Sequence, residues 1–171
     1  MHAATTSLRE SAPDAAWVVE ERLHLTLKFL GKQPADRLPA IEAAVACVAG
    51  QHRELLMTLG GISAFPNFRR ARVVWLGVMQ ESRLELLHHD VEVAFDELGF
   101  ELDGRPFRPH VTLARVQTPL HEARLKEMRR VAKQTDYRSE FIVRSIDLMQ
   151  SDLSTAGPAY TTLVAAALRS G

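Results

Sequence analysis

Two tetrapeptides in this chain carry residue types that can move protons: His24-Leu25-Thr26-Leu27 and His110-Val111-Thr112-Leu113. Both lie in stretches that alternate apolar and polar residues, Arg22 to Leu30 and Phe107 to Val116, so each is expected on a strand. Alternation puts His24 with Thr26, and His110 with Thr112, on the face opposite their aliphatic neighbours. One such pair is ordinary on a half-exposed strand, where threonine is chosen for its strand propensity. Two copies, in chain halves of similar helix–strand order, point to two imidazoles and two hydroxyls across one cleft. That set suits in-line displacement at phosphorus. One imidazole takes a proton from the attacking group, and the other gives one to the leaving oxygen. An unperturbed imidazole titrates near pH ~6.5, so either role is open to it at neutral pH. The threonine hydroxyls can donate to phosphate oxygens.

Other candidates are weaker. Arg69, Arg70 and Arg72 form one basic segment, and Arg105 and Arg108 another. Phe65 and Phe68 flank Pro66 beside the first. Stacking on a base contributes about 1–3 kcal/mol per base, and capping of the core is at least as good a reading of these rings. His88 and His89 lie in a helical stretch without a matching carboxylate pattern and read as surface. Cys47 is the single cysteine, so no internal disulfide and no thiolate cluster is expected. It sits among small apolar residues and reads as core filling rather than as a zinc ligand beside His24 and His110. No metal or cofactor site is expected.

The chain has 171 residues, 46% hydrophobic and 25% charged, the balance of one globular domain or two close-packed lobes. Lys plus Arg and Asp plus Glu each total 21, so the net charge is zero. Binding through bulk positive charge is excluded; a local basic site is not. No apolar run approaches the roughly 20 residues of a membrane span, and the start shows no basic-then-apolar leader. A cytoplasmic location is the expectation.

Elements must position the two motifs. Helical spacing predicts helices from Asp36 to Gly50 and from Ser82 to Leu98, the latter with a Ser82/Glu85 capping box and a Gly99 stop. A third helix is expected from Thr118-Pro119, burying Leu120, Leu125, Met128 and Val131. Arg72 to Met79, Phe141 to Met149 and Tyr160 to Leu168 read as further strands. Pro66, Gly60-Gly61 and Gly157-Pro158 read as loop punctuation. Nothing marks a linker, so residues 1–171 are expected to form a single two-lobed domain.

HLTLKFLG and RPHVTLAR resemble the two H-x-T-x motifs of the 2H phosphoesterases, and above all those of the bacterial RNA 2′,3′-cyclic phosphodiesterases, also called 2′-5′ RNA ligases. The resemblance runs from about Ala12 to the end, through PDAAWV, GGISAFPNFRRARVVWLGV, FRPHVTLAR and SDLSTAGPAYTTL. It implies an α+β fold of two pseudo-symmetric lobes, with antiparallel sheets around a central cleft and helices outside. It also implies hydrolysis of RNA 2′,3′-cyclic phosphate ends to 2′-phosphate ends, without metal or cofactor. His24 would be the proton donor and His110 the proton acceptor. Thr26, Thr112 and Arg115 would bind the phosphate. Simple alternation argues against Arg115, since it puts that residue on the Val111/Leu113 face. The expected partners are RNA ends or nucleoside 2′,3′-cyclic phosphates. The alternatives are 2′-5′ ligase or 2′-5′ phosphodiesterase action through the same histidines, or an RNA-end-binding module without catalysis.

The chain departs from the family at its start. Such proteins usually open with an apolar strand and a helix before the PDAAWV segment. Only Met1 to Ser11 precede it here, with Leu8 the sole large aliphatic residue after Met1. The first strand and most of the first helix are therefore expected to be missing. That would leave a sheet edge open to a second copy of the chain.

Overall fold

The computed structural model describes residues 2–79, 81–154 and 157–171. The elements run α1 (His2–Ser11), β1 (Ala16–Trp17), α2 (Leu38–Gln51), β2 (Leu55–Phe65), β3 (Val73–Val78) and α3 (Ser82–Glu97). They continue with β4 (His110–Arg115), α4 (Glu122–Gln134), β5 (Arg138–Val143), β6 (Ser145–Ser154) and β7 (Gly157–Ala167). The expected mixture of helices and antiparallel strands is found. Five strands form one sheet in the order β1-β4-β3-β2-β5, and β6 pairs with β7. The chain divides into two compact units. Unit one holds Met1–Thr26, Thr58–Gln80 and Arg108–Glu140; unit two holds Leu27–Met57, Glu81–Phe107 and Phe141–Gly171.

In unit one, α1 and α4 pack together. Leu8, Ala12, Met128, Val131 and Ala132 share a core with Val74, Ala114 and Val116 of the sheet segment. A second core joins Leu59, Leu76, Val111 and Leu113, with Leu23 and Leu25 packed against it. In unit two, α2 packs against α3 and against the β6–β7 pair. Ile41, Val45, Leu84, Leu87, Phe95 and Leu148 are buried there.

The start of the chain corrects one expectation. Most of the first helix is not missing: α1 occupies ten residues. Its weak apolar content hides it, yet Leu8 is fully buried. The Ser11 hydroxyl donates to the Leu8 carbonyl at 2.7 Å, and the Trp17 indole N–H donates to the Ala12 carbonyl at 2.9 Å, so the helix end is satisfied. Pro13 follows and ends the run. Among the described residues no strand precedes α1. Leu8 lies against Val74 and Ala114 in the core on this side of the sheet.

Other elements differ in detail. The strand expected over Arg22 to Leu30 is a single bridge at Leu25, preceded by a 3-10 turn at Glu20–Arg22. Leu23 and Leu25 follow the expected face and pack on the core, whereas Phe29 is 83% exposed. Gly60 and Gly61 lie inside β2 at a register shift, with Gly61 at φ 73°, rather than in a loop. Gly157 and Pro158 belong to β7. Phe141 to Met149 is split between β5 and β6. α4 begins at Glu122, with the His121 ring as cap acceptor, rather than at Thr118. Glu81, not Ser82, caps α3, while Gly99 ends it with φ 82° as expected.

Candidate active site

Both His-x-Thr motifs belong to unit one. β4 carries His110, Val111 and Thr112, and Leu25 of the first motif pairs with Val111 in an antiparallel bridge. Directly paired residues share a face, and Leu25 and Val111 both turn into the core. The register set by that bridge, continued one residue each way, puts His24 across from Thr112 and Thr26 across from His110. Cross-strand neighbours of this kind have Cβ atoms about 4.5–5.5 Å apart. On this register the two imidazoles and the two hydroxyls fall on the face opposite Leu25 and Val111. His24 is exposed; His110, Thr26 and Thr112 are half-buried.

The two imidazoles are held in the same way. His24 Nδ1 lies 2.8 Å from the Arg22 carbonyl, and His110 Nδ1 lies 2.7 Å from the Arg108 carbonyl. A carbonyl only accepts, so each Nδ1 carries the proton and donates it. In the neutral ring Nε2 is then the unprotonated nitrogen, available as a base; in the charged ring it is the available acid. The repeat therefore extends two residues upstream, as Arg22-Leu-His24 and Arg108-Pro-His110. Tetrapeptide matching stops at the histidine and misses the clamp.

Arg115 lies on the same face, against simple alternation. β3 pairs Val74 with Ala114 and Trp75 with Thr112, so Leu113 is an extra residue without a partner in β3. This bulge reverses the alternation beyond it. Val73, Trp75 and Gly77 alternate along one face of β3, and their partners are Arg115, Thr112 and His110. The guanidinium is exposed there.

Aromatic rings complete this face. Phe65 pairs with Val73 in register and stacks on Trp75, with ring centroids 4.9 Å apart. The His110 ring lies edge-on to Phe65 at 5.1 Å and tilted to Trp75 at 5.8 Å. Gly77, opposite His110, has no room for a side chain: an added Cβ would meet the Gly60 carbonyl oxygen at 2.7 Å. Among the described residues the buried Trp75 Nε1 has no hydrogen-bond partner, a cost of about 1–3 kcal/mol. Sequence reasoning misses Trp75 because an apolar run, VVWLGV, shows no face. Phe68 packs against the α1–α4 core instead of the site.

The remaining candidates fall away from it. Cys47 is exposed on α2 in unit two rather than filling a core, because the helix turns Val45, Val48 and Ala49 inward instead. Among the described residues no group of three or more His, Cys, Asp or Glu could hold a metal ion. His88 is not surface: it stacks on Phe107 at 3.8 Å, and burial lowers its pKa. His89 is exposed.

The profile of the 2′-5′ RNA ligase superfamily matches residues 2–155. The chain belongs to this superfamily. It is similar to an RNA 2′,3′-cyclic phosphodiesterase of Methanothermobacter thermautotrophicus, with 31% identity over 92% of this chain and 84% of that protein. The Geobacillus stearothermophilus enzyme of the same name is 41% identical over 61% of this chain, and there the match spans only 33% of the relative's length. Among solved structures, a Thermus thermophilus protein matches at TM-score 0.78 and 28% identity, covering 99% of this chain and 91% of that one. Escherichia coli LigT in its apo form matches at TM-score 0.64 and 26% identity, over 94% and 82%. As a superfamily member the chain shares their mixed helix and antiparallel-sheet fold. Among the described residues no helix is long and apolar enough to cross a membrane.

Proposed function

We propose that this chain hydrolyses 2′,3′-cyclic phosphate ends of RNA to 2′-phosphate ends, with His110 as general base and His24 as general acid. The observation that carries the reading is the matched pair of imidazoles, each with Nδ1–H on the carbonyl of the arginine two residues upstream and Nε2 as the working nitrogen. His110 Nε2 takes a proton from water as its oxygen attacks phosphorus. The bond from phosphorus to the 3′ oxygen breaks, and His24 Nε2 gives that oxygen a proton. A 2′-phosphate and a 3′ hydroxyl result, with His110 left protonated and His24 deprotonated; exchange with solvent restores both for the next cycle. Thr26 and Thr112 donate to the non-bridging oxygens as their charge grows. Arg115 supplies a planar cation that matches phosphate geometry. The proton balance requires no further group.

The relatives named as RNA 2′,3′-cyclic phosphodiesterases support the substrate class. An end-binding module needs no second titrating group, so the matched clamps favour turnover. The test is hydrolysis of a nucleoside 2′,3′-cyclic phosphate by the purified chain, followed by 31P NMR. A 2′-phosphate product at undiminished rate in the presence of a chelator is expected. A 3′-phosphate product would reverse the bond assignment. Loss on chelation, restored by a divalent ion, would put a metal in the reaction.

A further inference from the structure

Arginines gather where the β2–β3 turn meets the sheet. Arg69, Arg70 and Arg72 of the turn, Arg115 of β4 and Arg129 of α4 are all exposed. None has an ion-pair or side-chain hydrogen-bond partner among the described residues, whereas Lys126 and Arg130 of the same α4 are paired with Glu122 and Glu127. Acids and bases are equal in number over the chain, so five exposed arginines here are a local concentration of positive charge. Its place is specific. The turn leaves β2 at Phe65, whose ring lies 5.1 Å from that of His110. It rejoins β3 at Val73, which pairs with Arg115, and the Arg72 carbonyl accepts from the Val116 N–H at 2.9 Å. Asn67, Phe68, Arg69 and Arg129 line one shallow depression beyond it.

We propose that this turn and Arg129 form a track for the phosphates of an RNA strand on the 5′ side of its terminal cyclic phosphate. The inference rests on the function proposed above and narrows its substrate: the end of an RNA strand is taken in preference to a free nucleoside 2′,3′-cyclic phosphate. A terminal cyclic phosphate leaves the rest of the strand only one direction of departure. Exposed guanidinium groups on the turn that leaves β2 at Phe65, and beyond it on α4, suit the repeated phosphates met in that direction. Neutralising phosphates on a single strand makes binding fall with salt, by about 0.7 in log–log slope per phosphate. For about two to three phosphates, affinity drops about 7- to 20-fold between 50 and 200 mM salt.

The experiment compares a short RNA ending in a 2′,3′-cyclic phosphate with the matching nucleoside 2′,3′-cyclic phosphate. Wild-type chain is set beside Arg69→Ser/Arg70→Ser and Arg129→Ser, with melting curves as a folding control. Binding of the RNA is also read by fluorescence anisotropy across a salt series. The expected result is a lower KM for the RNA, raised several-fold in the variants with a smaller salt slope. Turnover of the nucleoside substrate should stay at wild-type level. Variants that bind and process RNA like wild type would overturn the track. Wild type that binds RNA with this salt slope but turns over neither substrate would support the track and overturn the proposed activity. An acidic peptide that displaced the RNA at equal concentration would assign the surface to a protein instead.

Discussion

The two His-x-Thr motifs share one chemistry on unequal scaffolds. The second lies in a six-residue strand with β3 along one edge, two aromatic rings beside its histidine, and Val111 and Leu113 buried beneath. The first hangs on one bridge after a 3-10 turn, and its Leu23 and Leu25 are only partly buried. Yet the imidazole clamps differ by 0.1 Å, at 2.8 and 2.7 Å. The aim of each ring is therefore set locally, by the carbonyl two residues upstream. The sheet does something else, which is to hold the first motif in register against the second.

The comparison breaks most directly at the histidines. His24→Ala and His110→Ala should each cut turnover of a cyclic phosphate by about 10²–10⁴-fold, the usual contribution of a positioned proton-transfer group. Because the two clamps match, the losses should be of similar order, with melting temperatures close to wild type. Near-wild-type turnover in either variant would void the acid–base assignment. A loss confined to His110→Ala would mean that the single bridge at Leu25 does not hold the first motif in place.

The phosphate-binding residues sharpen the comparison at a smaller scale. Thr26→Ala and Thr112→Ala remove one donor each, and such a donor is worth up to about 2.7–4 kcal/mol of transition-state stabilisation. Thr112 stands opposite Trp75 inside the sheet, so its loss should also lower the melting temperature. Thr26 should affect kcat alone. Unchanged kinetics with lowered stability in both would return the threonines to strand propensity. Arg115→Met tests the bulge: raised KM with intact melting is expected if the bulge brings the guanidinium to the site face. An unchanged KM would place Arg115 outside the site.

Much of this is legible in the sequence, and the gaps have physical causes. α2 and α3 follow from apolar residues at helical spacing, and Gly99 from the left-handed turn that ends α3. The four motif residues are legible because period two separates His and Thr from their aliphatic neighbours. Arg115 is legible only through the family, since counting residues gives the wrong face once Leu113 bulges. α1 is not legible, because one buried leucine among Ala, Thr and Ser makes no stripe. The motif strand at His24 is over-read because alternation reports a half-buried extended chain, whether or not a neighbour pairs with it. Trp75 and Phe65 reach His110 through strand order, which local patterns do not encode.

The smallest expected effect concerns the flanks of the two motifs. What the first motif lacks in pairing, the segment after it gains in unit two. Lys28 Nζ donates to Glu92 Oε1 at 2.8 Å and to the Glu101 carbonyl at 2.9 Å, while the Asp103 N–H donates to Glu92 Oε2 at 2.8 Å. His88 Nε2 lies 3.9 Å from Glu92 Oε1. One carboxylate thus ties the residue just after Thr26 and Leu27 to the segment leading toward Arg108. Burial by itself would raise the Glu92 carboxyl, but the Lys28 and Asp103 hydrogen bonds with the Lys28 and His88 charges outweigh it, and its pKa is lowered. Burial lowers the His88 pKa below 6.5, against the opposing pull of Glu92 and Asp103 and with help from Lys28 and His89. Both folded values lie below their ordinary ones, so both contributions are present at neutral pH and are lost on acidification. The His88 part goes as pH falls below about 6.5, and the Glu92 part as it falls below the ordinary carboxylate range near 4.5. A fall in melting temperature of about 2–4 °C is the size expected for each ~1 kcal/mol lost in a chain of this length. Glu92→Gln should melt below wild type at pH 7 and lose the step below 4.5, while His88→Phe should lose only the step near 6.5. Melting curves for the three proteins from pH 7.5 to 3 check this, and a wild-type curve flat across that range would show that the cluster contributes no pH-dependent stability.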